Sequence, residues 1–382
     1  MRSTEVYDEE TAGADLRRLM LTTDVPAGRA DLARAIADGQ RANRRRLATL
    51  TAAAAGIAVL ATAGGFAVLG PDRATDAPQP ALPSPSVSVS TAPAGCKLAR
   101  LPEPDGGGAE VSAMDPSGTV LGGIAHDRPV LWKDGRAELL EGVQGGVYDI
   151  AADGAVLGND EATGGWVWRE GQVTHLAKLT GYQAMYPSAI NAKGQVAGYA
   201  TGRTLDDAVP VLWSADGKAH KLSTPSGIGA ADVQYAMARD IDDDGLVVGD
   251  VRGAPVYWTP DGVAHALPKA GRADMIVWAI AGDNVYGVAS GDFAVRWSLS
   301  TKQVFQLPKG GDFGAKAGSA NGFAVLPGNL PETSHRVGPG RDDELRGPNG
   351  EPAMALVISN DGRTVAGLVA TAEPYSVIWT CS

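Results

Sequence analysis

Tryptophan recurs along the last three quarters of this chain with a near-constant step, and that periodicity limits the fold more than any other feature. The residues are Trp132, Trp168, Trp213, Trp258, Trp297 and Trp379, separated by 36, 45, 45, 39 and 82 positions, the last being two steps of 41. The text around them repeats too. MDPSGTVLGGIAHDRPVLWKDGRAELL begins at Met114, INAKGQVAGYATGRTLDDAVPVLWSADGKAHKL at Ile190 and IDDDGLVVGDVRGAPVYWTPDGVAHAL at Ile241. Further copies start at Ile150 and, more loosely, at Ile280, and a partial one runs from Ile358 to the end. A unit repeated about every 40 residues is one supersecondary structure that cannot bury its apolar face alone, so the copies must stack into a shared core.

Each unit divides into four short strands. An apolar strand ends in an Asx/Gly turn such as Asp115–Gly118, and an alternating strand then ends in Gly, as in TVLGG or QVAGY. A third strand ends in Trp, and Asp134-Gly135, Asp216-Gly217 or Asp261-Gly262 turns it into the fourth, because Asp-Gly supplies the positive φ of a tight hairpin. Four strands per 40 residues is the signature of a β-propeller blade.

The 82-residue gap implies a degenerate blade between Gly314 and Pro348, with GSANGFAVLPG as its first hairpin and Ser334–Val337 in place of the Trp strand. The last copy lacks a fourth strand. Cys96–Pro102, CKLARLP, resembles the fourth-strand endings VAHALP and VFQLP and is expected to complete that blade, closing a ring that would otherwise expose edges. Cys96 and Cys381, the two cysteines of the chain, then lie on neighbouring strands and are expected to form a disulfide. The fold class is therefore all-β, a seven-bladed propeller; a six-bladed ring is the alternative if residues 315–350 are an excursion.

Ile190–Gly198 and Leu212–Gly217 are similar to the HAF-type repeats of bacterial extracellular proteins, in which an I-N-x-x-G-x-V-x-G stretch precedes a Leu-Trp stretch closed by Gly. The resemblance covers residues 96–382 in successive copies and is weakest in the degenerate blade. It implies a propeller and an exported location, and no particular activity.

The N-terminal quarter has a different character. Residues 47–70 form a run of 24 without a charge, longer than the roughly 20 needed to span a hydrocarbon core as a helix. Arg41, Arg44, Arg45 and Arg46 crowd its N-terminal flank, so the positive-inside bias places 1–46 in the cytoplasm and the rest outside. A cleaved signal and a buried Ala-rich helix are the alternatives, against which stand the length of the run and the 46 residues before it. The expected plan is a short helical cytoplasmic tail at 1–46, a transmembrane helix at 47–70, a Pro/Ser-rich linker at 71–95 and an extracellular propeller at 96–382. The tail is a candidate dock for a cytoplasmic partner or an element lying on anionic lipid.

Charge narrows the function. Of 33 basic and 44 acidic residues, 24 and 36 fall after residue 70, a net of −12 on the C-terminal part, which argues against nucleic acid as a partner. No G-x-S-x-G elbow, phosphate loop or HExxH occurs, so an enzyme is the less favoured reading. Asp240, Asp242 and Asp244 fit the opening DxDxDG of a calcium loop, but Val251 stands where the twelfth-position Glu belongs, and the plain Asx turn is preferred; no cofactor is expected. His175, His220 and His265 repeat with the period itself and fall on different blades. Two positions before each aligned Ile stand Ser112, Tyr148, Ser188, Arg239, Trp278 and Leu356, variable in a repetitive frame. Tyr148, Arg239 and Trp278 are the candidate ligand-binding residues, at the mouth where first strands begin. The expected function is a binding or sensing module for an extracellular protein or glycan; a propeller enzyme acting on cell-wall or polysaccharide material is the alternative.

Overall fold

The computed structural model describes residues 95–382, apart from 105–107, 161–162, 226–234, 271–273, 290–292, 309–313, 329–332 and 372. The expected tail, transmembrane helix and nearly all of the linker lie outside the described residues. Among the described residues no helix is long and apolar enough to cross a membrane.

Seven four-stranded antiparallel sheets follow one another along the chain. Blades one to five span 109–139, 146–175, 184–221, 236–266 and 275–306; blade six spans 317–345; blade seven combines 353–381 with the strand Cys96–Arg100. Within each blade the strands pair in chain order except in the last, where Cys96–Arg100 is the outer, fourth strand. Apolar residues of successive sheets fill the gaps between blades. Ala189 and Ala197 of blade three, for example, pack with Ala236, Ala238, Val247 and Trp258 of blade four. This burial is the main driving force for closing the ring.

Two devices recur because every blade faces the same packing problem. The first is a bulge. In blades one to five and seven the first strand slips register by one residue, at Ser112, Tyr148, Ser188, Arg239, Trp278 and Leu356. The bulged backbone presses on the second strand opposite. A Cβ on Gly123, Gly198, Gly249, Gly287 or Gly367 would collide with the carbonyl of Glu110, Tyr186, Met237, Ile276 or Met354. The last Gly of the V-x-G pattern is thus the partner of the bulge.

The second device is an indole clasp. The Nε1 groups of Trp132, Trp213, Trp258, Trp297 and Trp379 donate to the carbonyls of Pro102, Ala177, Ser223, Pro268 and Arg346 at 2.6–3.1 Å, each just beyond the fourth strand of the preceding blade. In blade two this role belongs to Trp166, which bonds Gln144 O at 2.9 Å. The marker expected there, Trp168, is only half-buried. Residues i and i+2 share a strand face, so both tryptophans suit the pattern, and the ring of Trp166 lies directly on Gly158.

Blade six is complete but built differently. Its strands are Ala317–Gly318, Ala324–Leu326, Ser334–Gly338 and Arg341–Leu345, so the chain between 315 and 350 is a blade and the six-bladed alternative falls. Val337 holds the register of the missing Trp, opposite Ala324. Arg336, 1% exposed, makes the inter-blade link instead: its Nη1 donates to Gly362 O of blade seven at 2.8 Å, and Nη2 lies 2.8 Å from Asp343 Oδ2. The guanidinium also covers the Phe323 ring at 4.4 Å.

Closure is as the sequence predicts. Cys96–Arg100 pairs in register with Val377–Cys381, Cys96 opposite Cys381, and the two cysteines form a disulfide.

Candidate ligand-binding site

The bulges decide where chemistry can vary. An extra residue in one strand has no ladder partner, so its side chain leaves the repeating packing scheme. The six positions selected from the sequence are these bulge residues. In blade six the matching position, two before Gly318, is Lys316, whose ammonium is disfavoured by desolvation.

Small bulge residues stitch blades together. Ser112 Oγ donates to Val147 O at 2.6 Å, and Ser188 Oγ to Ala238 O at 3.3 Å. The aromatic and Arg ones, Tyr148, Arg239 and Trp278, belong to blades two, four and five and, with the ladder residues Tyr186 and Tyr199 of blade three, form an arc. Arg239 of blade four lays its guanidinium carbon 5.0 Å from the centroid of the Trp278 ring in blade five, while its Nε sits 3.4 Å from Asp250 Oδ1. Tyr186 and Tyr199 of blade three stack with centroids 4.8 Å apart and planes inclined by 20°. Burial pushes the Tyr199 phenol up, Arg239 pulls it down, and Tyr186, Tyr235 and Tyr148 push it up again, so these groups share one local field. Tyr148 of blade two is 49% exposed. The structure therefore lays Arg239 on Trp278 and stacks Tyr186 on Tyr199, with Arg239 and Tyr148 both acting on the charge of Tyr199; the sequence did not single out Tyr186 and Tyr199.

Beneath the arc lies Asp250, fully buried, its carboxyl pushed up to about 6 by burial against the opposing pull of Arg239. Its Oδ2 has no hydrogen-bond partner, and neither has the buried Nε1 of Trp278. Asp250, Tyr199 and Asn159 each follow the second-strand glycine of their blades, where blades one, five and seven carry Ile124, Val288 and Leu368. Polar residues at that position are a legible signal, visible once the repeats are aligned on their second glycine as well as their first isoleucine.

A cavity of about 410 Å³ lies where first strands finish, and the candidates, expected where first strands begin, stand instead in the middle of those strands. Its wall includes Ser112, Tyr148, Asp149, Asp240 and the turn acids Asp242–Asp244, but neither Arg239 nor Trp278. Of the three candidates Tyr148 is the one that lines it. Asp149 accepts hydrogen bonds from Ile150 N at 2.9 Å and, across the blade boundary, Ile190 N at 2.8 Å. Asp240 does the same for Ile241 N and Ile280 N, each at 2.8 Å. Burial raises Asp149 to about 6; burial and the nearby charge of Asp149 raise Asp240 to about 8.

The calcium-loop residues are occupied otherwise. Asp240 serves the two amides just named, and Asp242 Oδ1 caps its own turn by accepting from Leu246 N at 2.8 Å. Asp244 offers its main-chain carbonyl to Lys193 Nζ at 3.0 Å. Among the described residues no three His, Cys, Asp or Glu side chains gather as metal ligands. His175, His220 and His265 sit on the fourth strands of blades two, three and four, and His265 stacks on Tyr257.

No protein-family model matches the sequence, and no curated protein matches it. Solved structures do match in shape. A structure of U3-55K is similar with a TM-score of 0.50 at 15% identity, covering 74% of this chain and 98% of that one. The WD40 repeats of RRP9 are similar with a TM-score of 0.50 at 16% identity, covering 75% and 97%. At these identities the likeness concerns fold alone. The chain carries a seven-bladed β-propeller of the kind seen in WD40 repeats.

Proposed function

We propose that this chain is a membrane-anchored extracellular binding module of the HAF-repeat type, with its specificity on the arc of Tyr148, Arg239 and Trp278. The observation that carries the reading is the arc itself: aromatic and Arg side chains placed at bulges, whose residues have no ladder partner in their own blade. Such residues are the usual anchors of binding surfaces. The uncharged run at 47–70 behind its Arg cluster supports anchoring, and the disulfide supports an oxidising compartment. The enzyme alternative would draw on Asp149 and Asp240. Each spends both carboxylate oxygens on main-chain amides, which favours a structural duty for them.

The test uses intact cells displaying the full chain. Added protease should remove the propeller and leave an anchored N-terminal fragment, and Arg239→Ala or Trp278→Ala should weaken capture of cell-envelope material at least tenfold with little change in Tm. Release of the mature protein into the medium would refute the anchor. Capture that ignores both substitutions would refute the site.

A further inference from the structure

The charge balance of the arc restricts what it can hold. Arg239 is its full cation and is already paired with Asp250, so the pair is neutral. An anionic ligand would meet a C-terminal part of net −12, and a cationic one would meet the Arg239 guanidinium, whose counter-ion is already in place. The Arg239–Asp250 pair carries no net charge to attract either sign. What the arc does offer is flat aromatic area and unspent hydrogen bonds. Tyr148 and Tyr186 are exposed, the latter backed by Tyr199. A buried donor, Trp278 Nε1, and a buried acceptor, Asp250 Oδ2 on a fully buried side chain, lack partners, and Arg239 touches both residues. Buried groups of this kind are costly unless something satisfies them.

Building on the binding-module reading above, we propose that the arc takes a neutral saccharide. A pyranose ring has an apolar C–H face to lie on Tyr148 or Tyr186 and an edge of hydroxyls. Each hydroxyl is donor and acceptor in one atom, matching the orphan pair beneath Arg239. A neutral peptide's backbone separates the two roles, its N–H only donating and its C=O only accepting. Arg239, lying on Trp278 and against Asp250, is the side chain that yields when the sugar enters.

The full chain in detergent is applied to an array of oligosaccharides that includes neutral, uronic, sulfated and amino-sugar members. Neutral members should be retained, and a retained sugar should change the tryptophan fluorescence of the native protein but not of Trp278→Phe. Tyr148→Ala and Tyr186→Ala should each weaken retention at least tenfold at an unchanged Tm, whereas His175→Ala, on an outer strand, should leave it intact. Retention of charged members alone, or retention indifferent to both tyrosines, overturns the proposal. So does an array with nothing retained. In that event a photo-crosslinker at position 148 on intact cells separates the two readings. A crosslinked protein preserves the binding module and removes the sugar; no crosslink removes both.

Discussion

Asp149 and Asp240 show how one residue can serve a fold at a cost that depends on pH. Each carboxylate bridges two main-chain amides, one of them in the next blade, and among the corresponding residues Ala113, Ala189, Ala279 and Val357 no side chain can do this. Burial resists ionisation of both, and the charge of Asp149 together with that of Asp242 adds to the resistance at Asp240. The folded chain therefore holds protons between about pH 4 and 8 that the unfolded chain has released, so stability falls as pH rises through that window. Asp250, raised to about 6, acts in the same direction. The Tm of the propeller should decline from pH 5 to 8. Asp240→Asn, which keeps a carbonyl acceptor but does not titrate, should flatten the portion between pH 6 and 8. Parallel profiles for the two proteins would show that Asp240 is ionised throughout.

Among elements, the repeated unit is a bulged first strand, a glycine facing it and an indole reaching back to the previous blade. The clasp explains why Trp recurs: its N–H must find a partner when buried, and the carbonyl beyond the preceding fourth strand is the one within reach. Blade two offers a direct comparison. Trp166→Phe orphans the Gln144 carbonyl and leaves a void, a loss of about 1–3 kcal/mol for the unmet group before the void is added. Trp168→Phe, at a half-buried site with no such bond, should cost markedly less. Urea midpoints of the two variants decide the matter, and equal shifts would contradict the assignment of the clasp to Trp166.

For the whole molecule, the closing blade joins strands far apart in the chain. Cys96 and Cys381 are 285 residues apart in sequence, and their bond restrains the outer strand against the ring. Loss of a disulfide from a folded domain costs about 2–5 kcal/mol. Cys381→Ala should lower the denaturation midpoint, and amide exchange at Cys96–Arg100 should accelerate before that of other strands, since five residues of pairing then hold the ring alone. Unchanged exchange there would mean that the pairing is sufficient without the bond. Non-reduced peptide mapping of the wild type should recover the Cys96–Cys381 crosslink.

Much of the architecture was already determined by local chemistry repeated in series. Asp-Gly and Asx turns require positive φ, alternation sets strand faces, and the period sets the blade, so seven blades, the closing strand and the cysteine pair could be read from Trp spacing and CKLARLP alone. The degenerate blade was legible by its hairpins, although the substitution of a buried Arg336 for an indole was not. Tertiary structure decided what depends on the neighbouring sheet. It chose Trp166 over Trp168, because both share a face and only packing on Gly158 separates them. It made the variable positions bulges, stacked Tyr186 on Tyr199 within blade three and laid Arg239 on Trp278 across a blade boundary. It also turned Asp240 and Asp242 toward main-chain amides. The physical reason is the same in each case: periodicity specifies the contacts a blade makes with itself, while contacts between blades are settled only when the ring closes.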